Sequence, residues 1–260
     1  MDLTRCIFRQ RRLPTTSRWM ILFFLTGFTL LAIVVAVWLA PRAYRYLRTR
    51  TYRFARLGEW FHPPASHPDW AITGGEHCGE APFVLPTTGY IGFLWDDTFR
   101  FGVRHQGLDI FGVGEVGKTP VVAAYPGYLT RRADWKSTLA IRIPDDPLQP
   151  GRQIWLYYTH MAAPDGQSFI ALEFPPGASE VFVEAGARLG YQGSYSGDPY
   201  NPTGVHLHFS IVLADANGEL RNELDIRNTL DPSPYLGLEV NAERNHGEVP
   251  ICPPLKPDTD

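Results

Sequence analysis

Between Trp19 and Ala40 the chain runs without a charged residue, as WMILFFLTGFTLLAIVVAVWLA. At 1.5 Å rise per residue this length crosses a ~30 Å hydrocarbon layer as one helix. Trp19 and Trp38 stand near its two ends, where amphipathic rings settle at a membrane interface. A cleaved signal peptide has a shorter apolar stretch, ~7–15 residues, and here Pro41 directly follows Ala40. The pattern therefore predicts a retained signal anchor over residues 19–40, with residues 1–18 cytoplasmic. Residues 42–57, RAYRYLRTRTYRFARL, alternate Arg with Tyr, Phe and Leu. They read as a short juxtamembrane helix against anionic headgroups or as a solvated stalk. Residues 58–80, rich in Pro, Gly and Trp, complete a basic segment and linker over 41–80.

From residue 81 the pattern changes. Short apolar runs alternate with turn signals: TPVVAA (119–124) before Pro126-Gly127, STLAIRI (137–143) before Pro144-Asp145-Asp146, and RQIWLYYTHM (152–161). ARLGYQG (187–193) and VHLHFSIVLA (205–214) follow. Runs of this length between Gly, Pro and Asp predict antiparallel strands. No amphipathic helix longer than two turns is evident, and 144–151 and 162–180 read as long surface loops. The expected fold class is all-β: a compact antiparallel sheet domain over 81–236, followed by a polar tail over 237–260. Gly 24 and Pro 23 make up about 18% of the chain against the usual ~12%, which also favours a turn-rich β fold.

Charge divides the chain. Residues 1–60 hold eleven Arg against Asp2 and Glu59, whereas residues 61–260 hold 13 Lys and Arg against 25 Asp and Glu. An acidic main body excludes nucleic acid as a partner, since phosphate contacts need clustered cations. The Arg residues flank the apolar span on both sides and do not orient it. Three cysteines are too few for a disulfide-built miniprotein. Cys78 and Cys252 bracket the large domain; a disulfide formed outside the cell or unrelated thiols both fit that placement.

Eight histidines are the candidate chemistry. His62, His67, His77 and His246 fall in the linker and tail and are assigned to the surface. The other four lie in or beside predicted strands. In His206-Leu207-His208, the two imidazoles share a face ~6.7 Å apart, too far for both to reach one zinc at ~2.1 Å without distortion. One ligand plus one group acting on a metal-bound molecule suits the spacing, and parity alone does not choose between them. In His105-Gln106-Gly107-Leu108-Asp109, a straight strand would separate the ends by ~13 Å, so a shared metal requires a bend, which Gly107 permits. Two His and one Asp leave a fourth position open, the arrangement of a catalytic zinc. No H-E-x-x-H occurs, which excludes the helix-borne metalloprotease arrangement. No Glu adjoins these motifs, so acid–base work would fall to His206 and to His160 in Tyr158-Thr159-His160-Met161.

These motifs, in order, resemble the LytM/lysostaphin-type zinc endopeptidases of bacterial cell walls. The likeness runs from about Phe83 to Val212. It includes His105-x-Gly107-x-Asp109-Ile110, Thr119-Pro120-Val121-Val122-Ala123-Ala124 with Gly127, and Tyr158-Thr159-His160-Met161. Glu184-Ala185-Gly186-Ala187-Arg188-Leu189-Gly190 with Gly193, and Thr203-Gly204-Val205-His206-Leu207-His208-Phe209, complete it. The resemblance implies a β domain with a narrow groove, Zn²⁺ held by His105, Asp109 and His208, and catalysis by His160 and His206. It implies peptidoglycan peptides as substrate and a domain outside the cytoplasmic membrane. The stretch after His160 and the Ser194–Pro202 loop are longer than the family pattern. Two rivals remain: a LytM-like module that binds wall or activates another hydrolase, and a zinc hydrolase of other peptides.

Overall fold

A computed structural model describes residues 15–62 and 67–252. The predicted cytoplasmic segment up to residue 14, four linker residues (63–66) and the end of the tail (253–260) lie outside the described residues. The chain divides into two units, Met1–Tyr44 and Arg45–Asp260.

The first unit is the greater part of helix α1 (Thr15–Arg48), which overruns the predicted span at both ends. From Trp19 to Ala40 every described side chain is exposed, so this helix is long and apolar enough to cross a membrane. Its polar side chains are satisfied internally, as an apolar solvent demands: the Thr26 hydroxyl donates to Leu22 and Phe23 carbonyls, and that of Thr29 to the Leu25 carbonyl.

The second unit is a mostly antiparallel β domain. Its strands are β1 (Ala71–Ile72), β2 (Gly89–Phe93), β3 (Leu108–Phe111), β4 (Pro120–Val122), β5 (Gly127–Thr130), β6 (Leu139–Ile143), β7 (Ile154–Thr159), β8 (Val181–Val183), β9 (Arg188–Tyr191), β10 (Leu207–Leu213) and β11 (Thr229–Leu230). The main sheet runs β1-β2-β3-β10-β7-β6-β5-β8, with β11 also on β10; β4 and β9 form a separate pair. Strand β10 is buried along almost its whole length. Leu207, Phe209 and Ile211 point into the main core with Leu156, Tyr158 and Ile141, while Val212 packs on the other face against Ala140 and Trp155. Covering both faces explains why VHLHFSIVLA is almost continuously apolar. Register places His208 opposite Asp109 on one side and opposite Thr159 on the other. The ends of β3, β7 and β10 thus meet at one point.

The structure corrects the expected boundaries. The segment after residue 44 is helical, but it is not simply laid against lipid. A π turn (Thr49–Arg53) leads into helix α2 (Phe54–Trp60), and Thr49, Arg53 and Trp60 are buried in the domain. Trp60 packs with Tyr90, Phe93 and Phe111, joined by Leu57 and Trp70. Arg53 pairs with Asp97 at 3.2 Å and donates to Asn245 Oδ1 at 3.0 Å; Thr49 donates to the other Asp97 oxygen. The expected polar tail also contributes core: Leu238, Val240 and Ala242 are buried. Cys252 is disulfide-bonded to Cys78, closing the domain's entry onto its exit. Leu236, Leu238, Val240 and Ala242 alternate with Gly237, Glu239, Asn241 and Glu243, a period-two pattern that marks a half-buried extended segment.

Both charges of the Arg53–Asp97 pair are buried, and breaking such a pair leaves an uncompensated charge. Arg53→Met is therefore expected to lower the unfolding free energy by about 3–5 kcal/mol, read by denaturant titration of the whole chain. A loss below about 1 kcal/mol would mean that the segment behaves as a solvated stalk.

Candidate metal centre

Asp109 lies on β3, His208 on β10, and His105 on the turn before β3. Their nearest acceptor atoms form a small triangle. His105 Nε2 is 3.1 Å from Asp109 Oδ1 and 3.2 Å from His208 Nδ1, and His208 Nδ1 is 2.8 Å from Asp109 Oδ1. All three residues are largely buried. The bend anticipated at Gly107 is present, and there is a stronger reason for glycine there. A Cβ would fall on the Phe209 carbonyl oxygen and the Ser210 hydroxyl, and within 3.0 Å of His208 Nε2.

Each imidazole is oriented from its far side. His105 Nδ1 donates to the Leu94 carbonyl at 2.9 Å, leaving Nε2 with its lone pair inward. His208 Nε2 lies 2.8 Å from Glu223 Oε1 and 2.9 Å from Ser210 Oγ, and the Ser210 hydroxyl donates to the same Glu223 oxygen. The carboxylate fixes the His208 proton on Nε2 and turns Nδ1 inward. Glu223 was missed by sequence reasoning. It lies fifteen residues past His208 in a loop with no motif, and no local spacing could mark it.

The donor set fits a tetrahedral cation. Bonds of ~2.0–2.2 Å at tetrahedral angles place neighbouring ligand atoms ~3.3–3.6 Å apart, slightly wider than the 2.8–3.2 Å edges of this triangle. Three acceptors converging on one point otherwise require a shared proton. Burial opposes charge on His208, but its bonds to Asp109 and Glu223 outweigh that and carry it up to about 10. Burial likewise opposes ionisation of Asp109, yet His105 and His206, together with the bond to His208, hold its carboxyl well below the usual range.

The remaining two histidines line the same cavity and differ from His208 in character. His206 Nδ1 donates to the Gly204 carbonyl at 2.7 Å and His160 Nδ1 to the Tyr195 carbonyl at 2.6 Å. Each Nε2 is thereby left as a free lone pair, and His206 Nε2 is 3.6 Å from Asp109 Oδ1. Desolvation, and then the neighbouring His206, push His160 down to about 3; burial likewise lowers His206. The two rings lie 4.5 Å apart, and His206 stacks on Phe111 at 4.8 Å. His160 adopts φ of 68°, a left-handed conformation uncommon outside glycine. Of the two tyrosines beside it, Tyr158 is in the core and donates no group to the site, whereas Tyr157 lines the cavity. His67, His77 and His62 lie elsewhere; His67 stacks on Trp70 at 3.7 Å, and His62, His77 and His246 are exposed.

All five residues border one cavity of about 570 Å³. Its lining includes the polar residues Thr159, Ser196, Thr203 and Glu223 and the apolar residues Phe54, Leu57, Phe61, Phe93, Phe99 and Phe111.

No family model matches the sequence and no curated protein does. Among solved structures, lysostaphin from Staphylococcus simulans is 19% identical over 64% of this chain, with a TM-score of 0.36. The catalytic domain of a mutant of the prophage-encoded M23 protein EnpA from Enterococcus faecalis is 22% identical over 55% of this chain, with a TM-score of 0.34. The matched regions are 55% of the lysostaphin chain and 89% of the EnpA domain.

Glu223 is expected to act on metal affinity through His208. Glu223→Ala should weaken zinc binding about 10–100-fold, the usual effect of losing such an orienting carboxylate. Competition against a chelator of known affinity measures it, and an unchanged affinity would deny Glu223 this role.

Proposed function

We propose that the protein is a membrane-anchored zinc endopeptidase acting on peptide bonds of bacterial peptidoglycan, with residues 41–260 outside the cytoplasmic membrane. One observation carries the proposal: three acceptor atoms converge at close to tetrahedral spacing, and two imidazoles with bare Nε2 atoms line the same cavity. The ordered sequence motifs add the substrate class. The apolar span supports anchoring, and the Cys78–Cys252 bond suits an oxidising compartment.

In this reading His105, Asp109 and His208 hold the metal. Zn²⁺ held by these three residues would supply Lewis-acid chemistry, polarising a scissile carbonyl and acidifying water towards a pKa of ~7. His160 and His206 do the proton work. Both are neutral near pH 7, so each presents Nε2 as an acceptor for a proton of the attacking water. The imidazolium so formed is unstable in its buried setting and readily returns that proton to the leaving amine. The carbonyls of Tyr195 and Gly204 lock the tautomers, so neither ring needs to reorganise. Phe111 fixes the plane of His206 and keeps bulk water off it. Asp109 stays ionised throughout and contributes charge rather than a proton.

Ligand and acid–base roles separate by mutation. His208→Ala is expected to abolish both zinc binding and activity. His160→Ala and His206→Ala should retain zinc while turnover falls about 10²–10⁴-fold. Metal analysis beside mass spectrometry of sacculus digests reads both. Full activity in the latter two variants would refute the mechanism. If the wild type holds zinc but cuts nothing, a non-catalytic wall-binding module is the better reading.

Orientation has its own test. Protease added to spheroplasts is expected to degrade the domain carrying residues 67–252, and protection of that domain would reverse the topology.

A further inference from the structure

Between β2 and β3 the chain makes a tight turn over residues 100–103, closed by the Val103 amide donating to the Arg100 carbonyl at 2.9 Å. Gly102 takes φ of 78° there, a left-handed value that suits glycine. The tip turns two apolar side chains outward: Phe101 is 52% exposed and Val103 45%.

The turn stands on a stiff base. The His105 amide donates to the Asp97 carbonyl and the Asp96 amide to the His105 carbonyl, both at 2.8 Å. The Asp97 carboxylate accepts from the Leu94 amide and holds Arg53, and the Leu94 carbonyl orients the His105 ring. Phe99, just before the turn, meets the His105 ring edge-on at 5.6 Å and lines the metal-site cavity. Whatever holds the tip thus steadies the segment that carries a metal ligand.

The exposed tip continues into a surface of the same character. Phe101 meets Tyr46 edge-on at 6.1 Å. The Arg50 guanidinium lies 5.6 Å from the Tyr46 ring and 5.3 Å from the Phe54 ring. These contacts join Phe101, Tyr46, Arg50 and Phe54 into one patch, and Leu47, three residues before Arg50, is exposed as well. Arg50 and Arg100 are exposed, and neither has an ion-pair partner among the described residues. The carboxylates near the turn are engaged: Asp96 with Arg45 and Arg104, Glu243 with Arg45, and Asp97 with Arg53.

Exposed rings rimmed by unpaired arginines, with no loose carboxylate among them, match a lipid–water interface. The apolar groups gain by leaving water, and the guanidinium groups meet anionic headgroups. The covalent chain brings a bilayer within reach. Tyr46 follows Trp38 by eight residues, which span at most about 29 Å in any conformation. A single attachment leaves a domain free to turn; a second contact, made intramolecular by the anchor, fixes which face meets the membrane.

We propose that the 100–103 turn is a membrane-docking element, seating Phe101 and Val103 in the headgroup layer of the bilayer that holds the anchor. The proposal rests on the anchored part of the reading above and not on the peptidase part.

Depth measured with lipid-borne quenchers tests this in the full chain. Cys6→Ser leaves an introduced thiol as the only free one, since Cys78 and Cys252 are bonded. A fluorophore is attached at Phe101→Cys, Val103→Cys, Leu31→Cys in the span, or Phe182→Cys on β8, and each protein is placed in nanodiscs containing phosphatidylglycerol. Nitroxide carried about 5–10 Å into the boundary between headgroups and acyl chains is expected to quench positions 101 and 103 at least about twofold. Position 182, also exposed but at the far end of the sheet, should be unaffected, and position 31 should be quenched by nitroxide at mid-bilayer. Phe101→Asp, read from the label at 103, should remove the quenching while zinc content stays that of the parent. If that variant does not fold, Phe101→Ser is read in the same way. Positions 101 and 103 left unquenched while 31 is quenched would overturn the docking and leave the anchor standing; a patch covered by a protein partner gives this result. Quenching at 103 that survives the substitution at 101, or equal quenching at 182, would also overturn it. Absence of quenching at 31 would refute the anchor and the docking together. No step depends on cleavage, so failure of the peptidase reading would leave the result unchanged.

Discussion

Three acceptor atoms within 3.2 Å of one another form the constraint around which this domain is arranged. No protein donor can satisfy all three at once, so the cluster calls for a cation or a shared proton. The surrounding structure prevents it from relaxing. Antiparallel register sets His208 opposite Asp109, and the missing side chain at Gly107 lets His105 and β10 come together. Leu94 and Glu223 hold the far nitrogens of the two imidazoles. If any of these were removed, the rings could turn away and the electrostatic conflict would dissolve. A site that binds a cation tightly must resist that escape in the metal-free state.

Much of this was legible in the chain. The two-residue period of a strand puts His206 and His208 on one face, and glycine within His105–Asp109 permits the bend that brings those ends together. Alternation and turn residues located β6, β7 and β10 to within a few positions. Strands β2, β5 and β8 were less visible, being short and partly made of Gly or exposed positions. Glu223 was invisible for another reason. Its partnership with His208 is made across a loop, and nothing in the intervening residues encodes the return. Local pattern reports which way a side chain points, but not which distant loop arrives to meet it.

The segment between span and domain shows the same limit in a sharper form. Arg alternating with aromatic residues satisfies the description of a lipid-facing helix, and most of its arginines are at least partly exposed. Arg53 differs only in what lies opposite. Asp97 and Asn245 come from loops some 44 and 192 positions away in sequence, so composition alone reads a buried clamp as surface charge. The Cys78–Cys252 bond and the buried Leu238, Val240 and Ala242 likewise draw the two ends of the chain into the body of the domain. The clamp, the helix it seats and the turn that carries His105 form one connected structure.

The two histidines of the H-x-H motif have the same side chain and lie two residues apart, His206 just before β10 and His208 on it, yet their proton affinities are opposite. His208 touches two carboxylates, which outweigh its burial and carry it up to about 10. His206 lies against an aromatic ring and a carbonyl, with Asp109 no nearer than 3.6 Å, so burial outweighs that carboxylate and its pKa falls. A ligand needs electron density pressed toward the metal, which Glu223 supplies to His208 through the far nitrogen. An acid–base group needs a free nitrogen whose charged form is not held by carboxylates at hydrogen-bond distance. His160 resembles His206 in this, its Nδ1 bonded to the Tyr195 carbonyl and its burial outweighing the attraction of Asp109. Spacing makes the two imidazoles of the motif neighbours, but it is the second contact of each that makes one suited to holding a cation and the other to moving a proton.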